Sequence, residues 1–579
     1  MTKITRWPSL IALGGAVSFA VPAMSAEFFM EVEGSFNSQL SVGSSWRVAN
    51  PDATLSQAGN NNDGNLNFEQ GEAFSQIIKG SHELQLRSGD HGVFISGKYW
   101  HDYRLQDETV PFGHEPNGYV ADTKLQDKGF SRYAQFSGAT LLDAYVFGSY
   151  ELGEAPVDVR LGRQVLSWGE STFILGGMNS INPMDVNAFR RPGAEIKEAL
   201  LPVSMAYVNI GLTENLSMET FYQLEYQETV ISGCGTYFSY NDYAAEGCNK
   251  VLVATPDGLT DGQIVGAGYY INRHEDGNRL PKDDGQYGIA FRYFSEYFGD
   301  TEFGFYAMNI HSRLPIVNGI KATGWQPAAS PSAADMAAAV AANKDTTYYY
   351  VTYPEDIQLV GMSFSTNVGS VAVSGELSHK TDVPLQINAT QLLTAGLTGL
   401  STSPELMADV AATAEGAEFD GYRLFDVSQA QITMLQFFDR FLGASRYTLI
   451  AEAGYTFIHD FDESDSAIKF GRAGVFDGME EGFVSESSWG YRARLVGEYS
   501  NVLPGVSLKP TLAWSHDVEG YAPQPGGMFT EGNQTIGFTL AADYMSLYNA
   551  SISYTEYMGG DYNLYSDRDF VSVSLGVQF

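Results

Sequence analysis

The residues with the greatest capacity for chemistry crowd into one stretch, 160–202: RLGRQVLSWGESTFILGGMNSINPMDVNAFRRPGAEIKEALLP. It leaves a strand near Trp168, passes the pair Gly176-Gly177 and turns at Asn182-Pro183. It then carries Arg190, Arg191, Glu195, Lys197 and Glu198. Paired glycines and Asn-Pro mark turns, and 194–200 suits a short helix. Such a segment can fold inward, with Glu170, Asp185 and the two arginines pairing with one another, or pack outside as a structural hairpin. Ser515-His516-Asp517 spells a nucleophilic triad, but neighbours on a strand face opposite sides, whereas triad members must hydrogen-bond to each other. The nine histidines show no HExxH or CxxC spacing, and no nucleophile elbow or P-loop is present. No catalytic residue and no metal centre is therefore expected. Two oxygen-rich runs, NNNDGNLN at 60–67 and DFDESDS at 460–466, carry the ligand type that Ca²⁺ takes. The second contributes Asp460, Asp462, Glu463 and Asp465 but lacks the glycine of an EF-hand loop, so solvated acidic loops are the plainer reading and no other cofactor is expected. Cys234 and Cys248 are the two cysteines. In an exported chain they can pair, which in a loop of this size stabilises by roughly 3 kcal/mol.

The elements that must position these residues announce themselves by a period of two. At the C-terminus Val571, Val573, Leu575, Val577 and Phe579 alternate with Ser572, Ser574, Gly576 and Gln578, one greasy face and one small polar face. The same alternation places strands near 36–47, 80–88, 92–103, 140–151, 156–167, 203–212, 216–227, 286–297 and 301–312. It continues near 356–366, 370–380, 429–441, 445–459, 489–500, 505–517, 533–544, 547–558 and 569–579. Most run about 10–13 residues, longer than the usual ~5–6 of soluble proteins and matched to the ~9–11 of a tilted strand crossing a membrane. Aromatic residues such as Trp46, Tyr150, Tyr491 and Trp514 sit near the ends of the apolar stripes, as at a membrane interface. Connections alternate between short (89–91, 153–155, 213–215, 298–300, 367–369, 442–444, 501–504) and long (104–139, 168–202, 228–285, 313–355, 381–428, 460–488).

The reading is an all-β, transmembrane antiparallel β-barrel of about 18 strands, with 16 or 14 allowed by uncertain strand ends. In lipid every backbone polar group needs an internal partner, and a closed barrel supplies it. Within that barrel 168–202 is expected to fold into the lumen as a plug or constriction built on Trp168, Glu170, Asn182, Asp185, Arg190, Arg191 and Glu195, since some barrels are closed by their own loops. Arg47, Glu83, Arg87, Lys98, Arg160, Arg292, Arg492, Arg494 and Glu498 share the polar parity of their strands. They are expected to line the lumen, because an Arg on the lipid face costs about 2–4 kcal/mol at mid-bilayer.

Composition agrees. The 579 residues include 34 Tyr, 35 Phe and 61 Gly, and only 18% are charged. A net charge of −36 argues against nucleic-acid binding, which needs basic patches. Residues 1–26 read as a secretory signal peptide: Lys3 and Arg6, an apolar run, then Ala23, Ser25 and Ala26 with cleavage near residue 25 or 26. Residues 27–579 form a single barrel, and the loop 228–285 holds the cysteine pair. Two outer runs are apolar for loops, 391–412 and the Ala-rich 334–342 after Ser332. They suit either short amphipathic helices or an exposed apolar collecting surface. Val573, Leu575, Val577 and Phe579 resemble the terminal signal read by the barrel-assembly machinery.

Several motifs occur together: FNSQLSVGSSWRV, DGNLNF, the GRQVLSWGESTFI…NSINPMDV…RRPGAEIKEALLPV block, YPED, LKPTLAWSHDVEGYAPQPGG and the terminal Phe. With these the chain resembles the proteobacterial outer-membrane family labelled domain of unknown function 1302. The architecture is more loosely similar to long-chain fatty-acid transporters. The resemblance implies a barrel in the bacterial outer membrane, among lipid and lipopolysaccharide, that accompanies a periplasmic lipid-carrier-like protein and an inner-membrane transporter of the resistance-nodulation-division type. The function so implied is movement of a small, hydrophobic or lipid-like molecule. A diffusion porin with a charged lumen and a non-conducting structural or receptor barrel are the alternatives.

Overall fold

The computed structural model describes residues 32–57, 59–194, 196–253, 258–440, 442–464, 466–472 and 481–579. The signal-peptide residues 1–26, Glu195 and Asp465 lie outside the described residues.

Eighteen strands form one antiparallel sheet that closes on itself. They are β1 Glu33–Arg47, β2 Ala73–Ser88, β3 His91–Asp102, β4 Ser137–Leu152, β5 Ala155–Gln164, β6 Val203–Thr213, β7 Leu216–Gln223, β8 Tyr287–Ser295 and β9 Thr301–Ile310. The second half comprises β10 Ile357–Val368, β11 Val371–Gln386, β12 Tyr422–Asp439, β13 Arg446–Ile458, β14 Ser487–Leu503, β15 Val506–Glu519, β16 Gln534–Tyr544, β17 Tyr548–Met558 and β18 Phe570–Gln578. Each pairs with the next in sequence. The ring closes where β1 meets β18 in the register Gln39↔Gln578 to Arg47↔Phe570, and Ser38 and Phe579 exchange backbone hydrogen bonds of 2.7 and 2.9 Å. Closure removes the sheet edge that lipid could not satisfy. Short turns lie at one end with the start of β1 and the end of β18, and long connections lie at the other.

The outer face is apolar between two aromatic levels. Tyr150, Tyr293, Tyr544 and Tyr548 are exposed near the short turns, and Tyr99, Tyr222, Tyr287, Tyr455 and Trp489 near the long connections. Between them Val42, Leu161, Phe305, Val360, Ile432, Leu512, Phe538, Ile552 and Leu575 are outward and exposed, the pattern of a lipid-facing belt. Among the described residues no helix is long and apolar enough to cross a membrane.

Beyond the belt three barrel strands run further than the alternation predicts. β2 starts at Ala73, β11 reaches Gln386 and β12 starts at Tyr422. Here the strands pair with each other and with loops rather than with lipid, so the greasy stripe that marks a strand in sequence is not needed. The long connections build a second layer. It contains a five-stranded sheet of Lys250–Leu252, Tyr270–Arg279, Ile316–Ile320, Tyr348–Thr352 and Glu418–Phe419. Helices Ala333–Asn343, Ala389–Thr398 and Pro404–Ala412 start at side-chain caps from Ser332, Asn388 and Ser403. The apolar collecting surface considered for 391–412 is not formed. Leu392, Leu393, Leu397, Leu406 and Val410 are buried, because Leu392, Leu406 and Val410 pack with Phe419, Ile458 and Phe470 and Leu393 and Leu397 with Val317, Tyr349 and Val351. Cys234 and Cys248 are joined by a disulfide, in a cluster with Phe68, Phe74 and Tyr237.

Candidate functional site

The connection between β5 and β6 does not stay outside. It is fastened to inward side chains from strands around the ring. Two wall carboxylates hold its first half. Glu452 on β13 accepts hydrogen bonds from three successive backbone amides, Thr172 at 2.7 Å, Phe173 at 3.1 Å and Ile174 at 2.7 Å, while Thr433 Oγ1 on β12 donates to it at 2.9 Å. Glu376 on β11 accepts from the amides of Glu170 at 2.7 Å and Met178 at 3.1 Å and from the Gln431 side chain. Both carboxylates are buried. Consecutive amides converging on one carboxylate form a compact anion nest, and a charged acceptor makes each bond about twice as strong as a neutral one. Gln429 donates to the Leu175 carbonyl at 3.0 Å, and Lys380 to Ser180 Oγ at 3.0 Å. Gly361 on β10 admits Met178 against the wall, since a Cβ there would lie 2.7 Å from the Met178 sulfur.

The second half crosses to the opposite wall. Lys79 on β2 reaches the Gly193 carbonyl at 2.8 Å and the Glu198 carboxylate at 2.9 Å. Lys98 on β3 pairs with Asp185 at 3.1 Å and with the Glu198 carbonyl at 2.8 Å. Trp168 is buried and donates to Glu219 on β7 at 2.8 Å, amid an apolar group that includes Met178, Ile181, Met205, Phe221 and Tyr306. Asn182 ties the base of the segment, accepting from the Leu166 amide at 2.8 Å and donating to the Leu201 carbonyl at 2.9 Å. Asp185 also caps the short helix Val186–Arg190.

The expected internal network of Glu170 and Asp185 with the paired arginines is not what forms. Arg190 donates to Ser232 at 2.9 Å, to the Phe238 carbonyl at 3.1 Å and to the Tyr565 hydroxyl at 3.1 Å, and lies over the Phe238 ring. Arg191 donates to the Tyr133 carbonyl at 3.0 Å and lies over Trp100. Both thereby fasten the segment to the outer loops. A guanidinium needs several acceptors in a plane, which carbonyls and aromatic faces supply here, whereas Asp185 is claimed by Lys98.

Of the side chains expected to line the lumen, Arg160 lies 4.3 Å above the Tyr207 ring and 5.9 Å from Tyr145. It borders a cavity of about 430 Å³ with Gln85, Phe94, Phe147, Asp158 and Asn209 toward the short-turn end. Arg292 bridges Glu219 at 2.7 Å and Glu302 at 3.1 Å, and Arg492 pairs with Asp517 at 2.6 Å. Glu83, Arg494 and Glu498 hold the inward parity, and Arg87 closes on the Gly89 carbonyl at the turn. Two of the residues depart from the expectation. Lys98 is buried against the inserted segment. Arg47, only 1% exposed, is sealed among Asn65, the Phe68 carbonyl and Asp567 at 2.8 Å, because β1 ends there under the outer loops.

The letters Ser515-His516-Asp517 are split between faces. His516 packs on Tyr491 and Trp514, while Asp517 turns inward to Arg492. In the acidic loop, Asp462 caps the Ser464 amide and Glu463 accepts from the Glu486 amide. Among the described residues no three His, Cys, Asp or Glu side chains gather closely enough to hold a metal alone.

Glu376, Glu452, Lys79 and Glu219 are the site residues that sequence reasoning missed. Their signal was a charge on the polar parity of an apolar-alternating strand, shared with every other inward charge.

In fold, the chain is similar to the solved structure of Acinetobacter baumannii OccAB1, at 10% identity over 96% of this chain and 98% of that one, TM-score 0.39. It is likewise similar to Pseudomonas aeruginosa OccK2 (OpdF) in complex with glucuronate, at 9% identity over 94% and 97%, TM-score 0.37. A third is Pseudomonas aeruginosa OpdK with vanillate, at 9% identity over 94% and 98%, TM-score 0.38. No curated protein matches the sequence. The model of the family described as "Protein of unknown function (DUF1302)" matches residues 6–579, and the chain belongs to that family.

Proposed function

We propose that the protein is a transport barrel of the bacterial outer membrane, exported by a cleaved signal peptide and closed at rest by its own segment 165–202. The observation that carries this reading is the pair of wall carboxylates, Glu376 and Glu452, gripping backbone amides of that segment. Apolar packing around Trp168, Met178 and Ile181 also holds the segment. Beyond that packing its main chain is latched at a few polar points, an arrangement that can let go and re-form. A small hydrophobic or lipid-like cargo with a polar head suits the inner wall, where Phe94, Tyr145, Phe147 and Tyr207 offer apolar surface around Arg160 and Asn209. A periplasmic lipid-carrier-like protein and an inner-membrane transporter complete the route, and lipopolysaccharide surrounds the outer end. The exposed inward Arg494 favours a second reading, a diffusion porin with a charged lumen. A receptor or structural barrel would keep the segment shut permanently. Planar-bilayer recording of the purified protein distinguishes them. The proposal expects a closed barrel with rare openings, and a steady open conductance would replace it with the porin.

A further inference from the structure

The outer layer contains a cluster of carboxylates that its own hydrogen bonds do not satisfy. Asp63 is 1% exposed, and neither of its carboxylate oxygens has a hydrogen-bond partner among the described residues; the adjacent Asn62 is fully buried and its Oδ1 has none either. Two further buried acids face them from the connection between β7 and β8. Asp242 accepts from the Asp63 amide at 3.3 Å and from Ser239 Oγ at 2.5 Å. Asp261 accepts from Asn62 Nδ2 at 2.8 Å and from the Gly59 amide at 3.0 Å. Gly64 brings the chain close, since a Cβ there would lie 2.5 Å from the Thr236 carbonyl oxygen and 2.8 Å from that of Tyr237.

The charges do not cancel. Arg47 and Arg568 stand against the four carboxylates of Asp63, Asp242, Asp261 and Asp567, with Arg47 and Arg568 both directed at Asp567. Glu115 is neutralised by Lys250 at 2.5 Å. With all four carboxylates ionised, two negative charges would remain, the charge that one divalent cation balances. Burial, reinforced by Asp242, Asp261 and Glu115, pushes the Asp63 carboxyl well above the usual carboxylate range. Burial likewise raises Asp242, and raises Asp261 to about 7. An isolated buried carboxylate is costly unless a cation or a proton compensates it.

We propose that Asp63, Asn62 and Asp242 form the core of a binding site for a hard divalent cation, calcium, which ties the connection between β1 and β2 to that between β7 and β8. Calcium takes six to eight oxygens and accepts amide and main-chain carbonyls beside carboxylates. A site with two direct carboxylates, the Asn62 amide oxygen and main-chain oxygens therefore suffices without a third acidic ligand. Asp261 acts through Asn62, fixing that amide so its oxygen is left for the ion.

The test is calorimetric titration of the folded, full-length protein in detergent with CaCl₂ after chelator treatment, with MgCl₂ in a parallel arm. The expected result is one Ca²⁺ per chain, a rise in the unfolding temperature on binding, and weaker binding of Mg²⁺. Asp63→Asn should weaken Ca²⁺ binding by at least roughly 100-fold, the upper end of what even supporting residues contribute. Asn62→Ala, which removes one uncharged ligand, keeps the test open if Asp63→Asn does not fold, and should also weaken binding. Glu463→Gln, in the exposed acidic loop, should leave it unchanged. No Ca²⁺ bound by the wild type at millimolar concentration would overturn the proposal and assign protons to these acids. So would binding that survives Asp63→Asn and Asn62→Ala, or that is lost in Glu463→Gln.

Discussion

Replacing Glu452 by Gln changes one oxygen into an NH₂ group and should release the inserted segment. The carboxylate serves four donors. Its Oε2 accepts from Thr172, Phe173 and Thr433, and its Oε1 from Ile174 at 2.7 Å. In its best orientation the glutamine keeps the first three, now without the charge, and turns its NH₂ toward the Ile174 amide. That amide is buried and loses its acceptor. An orphaned buried donor together with the loss of charge assistance costs about 2–4 kcal/mol. At 1.4 kcal/mol per factor of ten this multiplies the population of the released state by roughly 30- to 700-fold. Single-channel recording in a planar bilayer reads that population directly as open probability. The double variant Glu376→Gln/Glu452→Gln also removes the latch at Glu170 and Met178 and should open further. Heat-modifiable migration on a gel reports whether each variant has formed the barrel. If both variants fold and both stay as closed as the wild type, backbone latching is not what holds the segment, and the gating argument fails.

Three other outcomes follow from the same structure. Deleting Phe579, or making Leu575→Asp with Val577→Asp, should leave the chain exported but not inserted, because β18 closes the ring against β1; normal heat-modifiable barrel in outer-membrane fractions would contradict this. Single cysteines introduced as Asn367→Cys and Asn501→Cys should be shielded from a membrane-impermeant thiol reagent on intact cells while Asp462→Cys reacts, and since the native cysteines are disulfide-bonded the signal is clean. His114, in the connection between β3 and β4, is held by burial at about 4 against its ordinary 6.5. The unfolded chain therefore takes up a proton there before the folded one does, and stability is lost as pH falls from about 6.5 toward 4; His114→Gln should flatten that part of the unfolding-temperature profile relative to wild type.

The strands were legible because lipid imposes a rule that repeats in every one of them: an apolar side chain outward at alternate positions, with Val571 to Phe579 as the plainest case. Where that rule lapses, so did the reading. The early start of β2 at Ala73 and the extension of β11 and β12 lie above the belt, where pairing carries no hydrophobic signature. The site was legible only in part. Trp168, Asn182 and Asp185 stood out because a turn-rich, glycine-rich segment holding so many polar groups needs internal partners. Glu376 and Glu452 did not, because their partners are main-chain amides, which every residue has, 198 and 278 positions away in the chain. The arginines misled for a related reason: charge suggests a carboxylate partner, whereas Arg190 and Arg191 found carbonyls and rings.

The Arg47–Asp567 pair has a consequence for how the ring chooses its alignment. Alternation of greasy and polar side chains penalises a one-residue slip between β1 and β18, which would turn Leu575 and Val577 inward. A two-residue slip passes that check, since every side chain keeps its face. Arg47 ends β1, and Asp567 lies three residues before Phe570, the first residue of β18, so their contact at 2.8 Å straddles the seam. A two-residue slip would carry one past the other by about 6.6 Å and strand both charges among buried neighbours. Residues 520 apart in sequence thus act as a vernier on the final closure, rejecting the misalignment that hydrophobicity cannot detect.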